Sequence, residues 1–118
     1  MCSLRRTGKM KTRKERKYYV SFHLMNPKER KNEIKMLLSK IKEGKAMFGG
    51  VKEAKIEIHN TSLSLVIYSF QKEEDSFNFE DMIFGFCYRM RLDDICWEEK
   101  LPTREIEAII KKVSRINK

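Results

Sequence analysis

Tyr18-Tyr19-Val20-Ser21-Phe22-His23-Leu24-Met25-Asn26-Pro27-Lys28-Glu29 decides the fold, because within it a strand pattern passes into a helix pattern. Tyr18, Val20, Phe22 and Leu24 point one way and Tyr19, Ser21, His23 and Met25 the other, which is the period of a β-strand. Asn26 can cap a helix, Pro27 suits its first position, and Glu29 stands where a capping box wants an acid. Ile34, Leu37, Leu38 and Ile41 then form an apolar stripe at helical spacing, with Gly44 as a natural stop.

Downstream, Gly44-Lys45-Ala46-Met47-Phe48-Gly49-Gly50 lacks the spacing of a phosphate-binding Walker loop and reads as a connector. Residues 51–59 form a strand with Ala54, Ile56 and Ile58 toward a core and Glu53, Lys55, Glu57 and His59 outward. Asn60 and Thr61 turn the chain, and residues 62–71 return as a second strand, so the pair reads as a hairpin. Residues 72–76 are a charged connection.

The next stretch supports two periods. Phe79, Met82, Ile83, Phe86 and Met90 fit a helix face, whereas Phe84, Phe86, Tyr88, Met90 and Leu92 alternate like a strand. The aromatic content and Gly85 favour a strand over residues 83–92. Residues 102–116 close as a helix opened by Pro102 or Thr103, with Ile106, Ile109, Ile110, Val113 and Ile116 as its buried stripe.

Upstream of the opening strand the composition changes. Eight of the 26 Lys and Arg lie in residues 1–17 against the single acid Glu15, so +7 of the net +9 sits there and +2 in the rest. With Met1, Cys2, Leu4 and Met10 as its only apolar residues, that segment cannot repay the entropy of ordering. The 118 residues, 41% hydrophobic and 36% charged, suffice for one domain with a core. The expected fold is α+β: a single domain over residues 18–118, with a three- to four-stranded antiparallel-rich sheet in the order β-α-β-β-[β or α]-α. Its helices lie on one face, and a disordered basic arm over residues 1–17 precedes it.

Such an arm suits a polyanion, because its cations can neutralise phosphates and release counterions without reading sequence. Nuclear import, membrane attachment and simple solubilisation are the other readings of the same charge. No apolar run follows it as in a secretory signal, and the longest apolar-rich stretch, Leu63–Phe70, is far too short to span a membrane. The expected location is intracellular: cytoplasmic, or nuclear in a eukaryotic host. Cys2, Cys87 and Cys96 are odd in number and lack metal-ligand spacing, so neither a disulfide framework, a metal site nor a cofactor is expected.

If the helices cover Phe22, Leu24, Ile56 and Ile58, the open face of the sheet carries Tyr19, His23, Lys55, His59, Tyr68, Arg89 and Arg91. Aromatic rings to stack bases and cations to meet phosphates are what single-stranded nucleic acid requires. The layout resembles ferredoxin-like RNA-binding modules of the RNA-recognition-motif kind; the likeness is of architecture and assigns no residues.

Phe22-His23-Leu24-Met25-Asn26-Pro27 resembles the first motif of rolling-circle replication initiators, whose first strand often ends Phe-x-Leu-x-Asn. That likeness implies a histidine-rich metal motif on a central strand and a tyrosine nucleophile. His59 and Tyr88 stand at suitable places, but His59-Asn60-Thr61 lacks the second histidine and Tyr88-Arg89-Met90-Arg91 lacks a lysine.

The leading expectation is a non-catalytic nucleic-acid-binding accessory or regulatory protein, RNA or DNA, of low sequence specificity. Its site residues are Arg5, Arg6, Lys9, Lys11, Arg13, Lys14, Arg16 and Lys17 on the arm, and Tyr19, Tyr68, Arg89 and Arg91 on the sheet. The alternatives are a protein-interaction module, as a small inhibitor or homodimer anchored by Phe86, Tyr88 and Trp97 in residues 77–97, and a degenerate nicking nuclease.

Overall fold

Val20, Phe22 and Leu24 are buried along one side of the opening strand, so this strand belongs at the centre of a sheet. The structure is a computed structural model that describes residues 16–116. Strand β1 (Tyr18–Met25) leads through a 3₁₀ turn (Lys28–Arg30) into helix α1 (Lys31–Phe48). A hairpin of β2 (Val51–Glu57) and β3 (Leu63–Phe70) follows, then α2 (Glu73–Arg89), the short β4 (Cys96–Glu98) and α3 (Thr103–Ile116).

The sheet order is β2-β3-β1-β4 and every neighbouring pair is antiparallel. This is the β-α-β-β-α-β topology of ferredoxin-like sheets, with α3 added. Register places Val20 opposite Tyr68, Phe22 opposite Val66 and Phe22 opposite Glu98.

One face carries the main core. Leu37 and Ile41 of α1 and Phe79, Ile83 and Cys87 of α2 close over Val20, Phe22, Tyr68 and Phe70. The Phe79 ring lies 5.3 Å from that of Tyr68 and 5.0 Å from that of Phe70, within the range at which tilted aromatic pairs attract. Gly44 lets α1 and α2 meet closely, since a Cβ there would lie 3.1 Å from Phe79 and 3.2 Å from the Met82 sulfur.

The other face is not open. Ile106 of α3 is buried against Ala54 and Ile67, with Tyr19, Leu101, Ile109, Ile110 and Val113 half-buried around it. Burial of every residue from Ser64 to Phe70 reflects this double cover. The expectation of helices on one face therefore holds for α1 and α2, while α3 lies on the opposite side.

Four further expectations change. Residues 73–89 are helix, and the favoured strand over residues 83–92 gives way because Phe79, Ile83 and Cys87 recur on one buried helical face. Glu73, Glu74 and Asp75 sit in that helix's first turn, where the dipole favours acids. Asn26 makes no cap: Pro27 precedes the 3₁₀ turn and α1 starts only at Lys31, with no side-chain cap bond. Gly44 does not stop α1, which runs on to Phe48 and ends at Gly49, whose φ of 70° is the left-handed conformation glycine adopts without strain. Finally, Ile56 pairs with Leu65 and Ala54 with Ile67, so β2 turns its apolar side toward α3 and away from the face of Phe22 and Leu24.

Candidate functional site

The covered sheet takes away the expected aromatic platform. Tyr68 lies in the main core, stacked 6.1 Å from Phe22, where burial pushes its hydroxyl pKa up. It occupies the face opposite Tyr19, because Tyr68 pairs with Val20 and Tyr19 with Ser69. Tyr19 lies beneath α3 and donates a hydrogen bond of 3.3 Å to Glu107. Burial, then the Glu107 charge and hydrogen bond, push its pKa up to about 12. Neither ring is free to stack on a base.

The cations expected on the sheet stand elsewhere. Arg89 ends α2 and reaches back over Gly85, while Arg91 follows the helix at a φ of 59° and its carbonyl accepts a bond from Arg30. Both are exposed beside Tyr88, whose 79% exposure is the largest among the bulky hydrophobic side chains described. Phe77 is also open to solvent, whereas Phe86 lies half-buried under Lys40 and Trp97 half-buried beside His23. His59 is exposed in the β2–β3 turn at a φ of 51°.

Of the arm cations, Arg16 lies over the Tyr18 ring at 5.8 Å and Lys17 pairs with Glu53 at 3.2 Å. Arg5, Arg6, Lys9, Lys11, Arg13 and Lys14 lie outside the described residues.

Charge within the folded body is segregated. Between residues 28 and 57 nine Lys and Arg stand against five acids; between residues 71 and 100 the balance is four against nine. On α1, Lys31, Lys35, Leu38 and Lys42 recur at helical spacing and form one exposed stripe. Lys55 of β2 stands across from Leu38 of this stripe in a groove of about 330 Å³, lined also by Ile34, Asn26, Ser62 and the acid Glu57. Among the described residues Lys31, Lys35, Lys42, Lys45, Lys52 and Lys55 make no ion pair, whereas Lys40 is held by Glu43. The lysine spacing is present in the sequence, interleaved with the stronger apolar stripe of the same helix.

The acidic half surrounds a cleft of about 940 Å³ between the start of β1, the first turns of α2 and the β4–α3 connection. Glu73, Glu80, Glu98, Glu99 and Glu107 line it with Arg16, Lys17 and Lys100. Burial, then contact with Glu98, push the Glu80 carboxyl up to about 7. Lys100 sits 3.0 Å from Glu98, and that bond, then the charges of Glu98 and Glu80, raise its own pKa.

Two further polar features are internal. His23 Nδ1 is 3.2 Å from a Glu99 carboxylate oxygen, yet the alignment is not that of a hydrogen bond and this buried nitrogen has no other partner among the described residues. The buried thiols of Cys87 and Cys96 are close enough to act on each other: contact with Cys96 lowers the Cys87 pKa, and contact with Cys87, then burial, raises that of Cys96. Among the described residues no three His, Cys, Asp or Glu gather as a metal site, and no helix is long and apolar enough to cross a membrane. Comparison with protein-family models, curated proteins and solved structures found no match.

Proposed function

We propose that this chain is a non-catalytic nucleic-acid-binding protein that grips phosphates through the lysine face of α1 and β2 together with its basic N-terminal segment. The observation that carries the reading is the exposed stripe Lys31, Lys35 and Lys42 on one side of α1, which with Lys55 across the groove from Leu38 makes no ion pair in the described residues. Unneutralised cations in a row suit a polyphosphate backbone, whose binding releases counterions. With Tyr19 and Tyr68 engaged inside the protein, the described sheet offers no aromatic platform for base stacking, and the binding we propose rests on backbone charge rather than sequence.

The test is fluorescence anisotropy with labelled 30-nucleotide RNA and DNA, single- and double-stranded, across a salt series. The triple variant K31E/K35E/K42E is expected to bind at least ~10-fold more weakly, with a salt slope shallower by roughly 2 to 3 units. These side chains are exposed, so far-UV circular dichroism is expected to remain unchanged. Affinity and slope equal to those of the parent would refute the reading.

Tyr88 favours a second reading, because a ring 79% exposed beside exposed Met90 is suited to a protein partner. Light scattering separates the two: a dimer lost in Tyr88→Ala, with no nucleic-acid binding, favours the interaction module.

A further inference from the structure

One edge of β1 is only partly paired. β4 engages residues 22–24, and the Glu99 N–H extends the contact to the Ser21 carbonyl at 2.9 Å. Alternation turns the N–H and C=O of Tyr19 to that same side, where no described strand pairs with residues 18–20. The acidic cleft opens along this edge, with the half-exposed ring of Phe77 on its wall.

The cations already lining the cleft leave most of its acid uncompensated. Lys17 is held by Glu53, Arg16 lies over Tyr18, and Lys100 serves Glu98. Glu73 and Glu80 make no ion pair among the described residues, Lys100 acts on Glu80 only at longer range, and the contact between the Glu80 and Glu98 carboxyls is one that an added cation would relieve. Residues 1–15 carry six Lys and Arg against one acid, and the chain enters the described structure at Arg16, on the wall of this cleft.

We propose that the cleft is the docking site of the chain's own residues 1–15, their cations meeting Glu73, Glu80, Glu98 and Glu107. Charge decides which segment is taken, and the main-chain groups of Tyr19, free among the described residues, offer it hydrogen bonds. Each surface ion pair is worth little, but the tether places the segment at an effective concentration on the order of millimolar. The docking itself does not depend on nucleic-acid binding. Its consequence rests on that reading: cleft and phosphates compete for the same cations, so the empty protein holds its arm back from unsuitable ligands.

The test is zero-length cross-linking of the full chain by a carbodiimide, which joins a lysine amine to a carboxyl as an amide while the reagent takes up the departing oxygen as a urea. Run on an equal mixture of ¹⁵N-labelled and unlabelled protein, it is expected to link Lys9, Lys11 or Lys14 to Glu73, Glu80, Glu98 or Glu107 within one isotope. The links are expected to fade at 1 M NaCl, and in E73Q/E80Q those to the intact carboxyls of Glu98 and Glu107 are expected to fade as well. Links made equally often to Glu29, Glu43 or Asp94, or between isotopes, overturn the proposal. If the parent binds the labelled 30-nucleotide RNA, E73Q/E80Q is expected to bind it more tightly at low salt, and equal affinity refutes the competition. Absence of any binding refutes the nucleic-acid reading alone and leaves the cross-links to decide the docking.

Discussion

Whether the sheet can ever meet a ligand depends on how firmly α3 is seated, and Ile106 measures that. Its side chain is 3% exposed, the only residue of α3 that is fully buried, and it rests on Ala54 and Ile67. Burying an isoleucine side chain is worth about 1.5 to 3 kcal/mol, and truncating one to alanine costs about 2 to 5 kcal/mol once the cavity is included. This second core has three buried residues, and its half-buried rim of Ile109, Ile110 and Val113 can shift to fill part of the space. The lower part of the range therefore applies, about 2 to 3 kcal/mol for Ile106→Ala. For a chain of this size that corresponds to a fall in Tm of roughly 8 to 12 °C. Urea unfolding followed by far-UV circular dichroism is expected to show a lower midpoint at an unchanged slope. Ile116→Ala in the same helix serves as the control, because Ile116 is 72% exposed and its loss is expected to cost under ~0.5 kcal/mol. A loss at Ile106 as small as that at Ile116 would refute the docking of α3 and return the sheet face to solvent.

Gly50→Ala is expected to destabilise by about 1 to 3 kcal/mol in thermal unfolding, because its Cβ would lie 2.6 Å from the buried Phe70 ring, well inside van der Waals contact. Glu80 gives a pH dependence of definite sign: its carboxyl holds its proton up to about 7 in the fold against 4.5 ordinarily, so the native state binds that proton more tightly. Its contribution is complete below pH 4.5 and is lost as pH rises through 7; after allowance for solvent screening it is on the order of 1 kcal/mol, and Glu80→Gln is expected to flatten that part of a Tm-against-pH curve.

The periods that the sequence displays locally survive in the fold. β1, the β2–β3 hairpin, the body of α1 and α3 all follow from alternation or helical stripes in their own residues. Residues 79–92 did not, since they satisfy both periods, and the choice is made by partners: Phe79 meets Tyr68 and Phe70, and Phe84 meets Phe22 edge-on at 6.0 Å. The strand reading weighed the aromatic rings too heavily, for Tyr88 and Met90 in that alternation are exposed. The acids of residues 73–75, read as a connection, were the helix signal. The sidedness of β2 is a non-local fact of another kind. Its apolar residues were correctly separated from its polar ones, but register with β3, including a bulge between Lys52 and Ala54, decides which layer they meet.

That sidedness also governs what kind of ligand the protein can hold. A sheet of this topology with one bare face offers rings to bases and can discriminate among them. Here the bare half is spent on Tyr19, Ala54 and Ile67 beneath α3, while β3 is buried on both sides. What remains on the outside is helix surface, strand edge and charge, and the charge is sorted into a basic side at α1 and β2 and an acidic side at α2 and β4. Lysine ammonium groups on flexible stems recognise phosphate as point charges, without the planar fork that selects a base edge. On the proposed reading a polyanion gripped by Lys31, Lys35, Lys42 and Lys55 is held by its backbone charge, and the acids of the cleft beside β4 repel it, while Asp94 is already paired with Arg30 beside the start of α1. On that reading the polyanion stays on the α1–β2 side, and its orientation there follows the gradient between the two halves rather than its sequence.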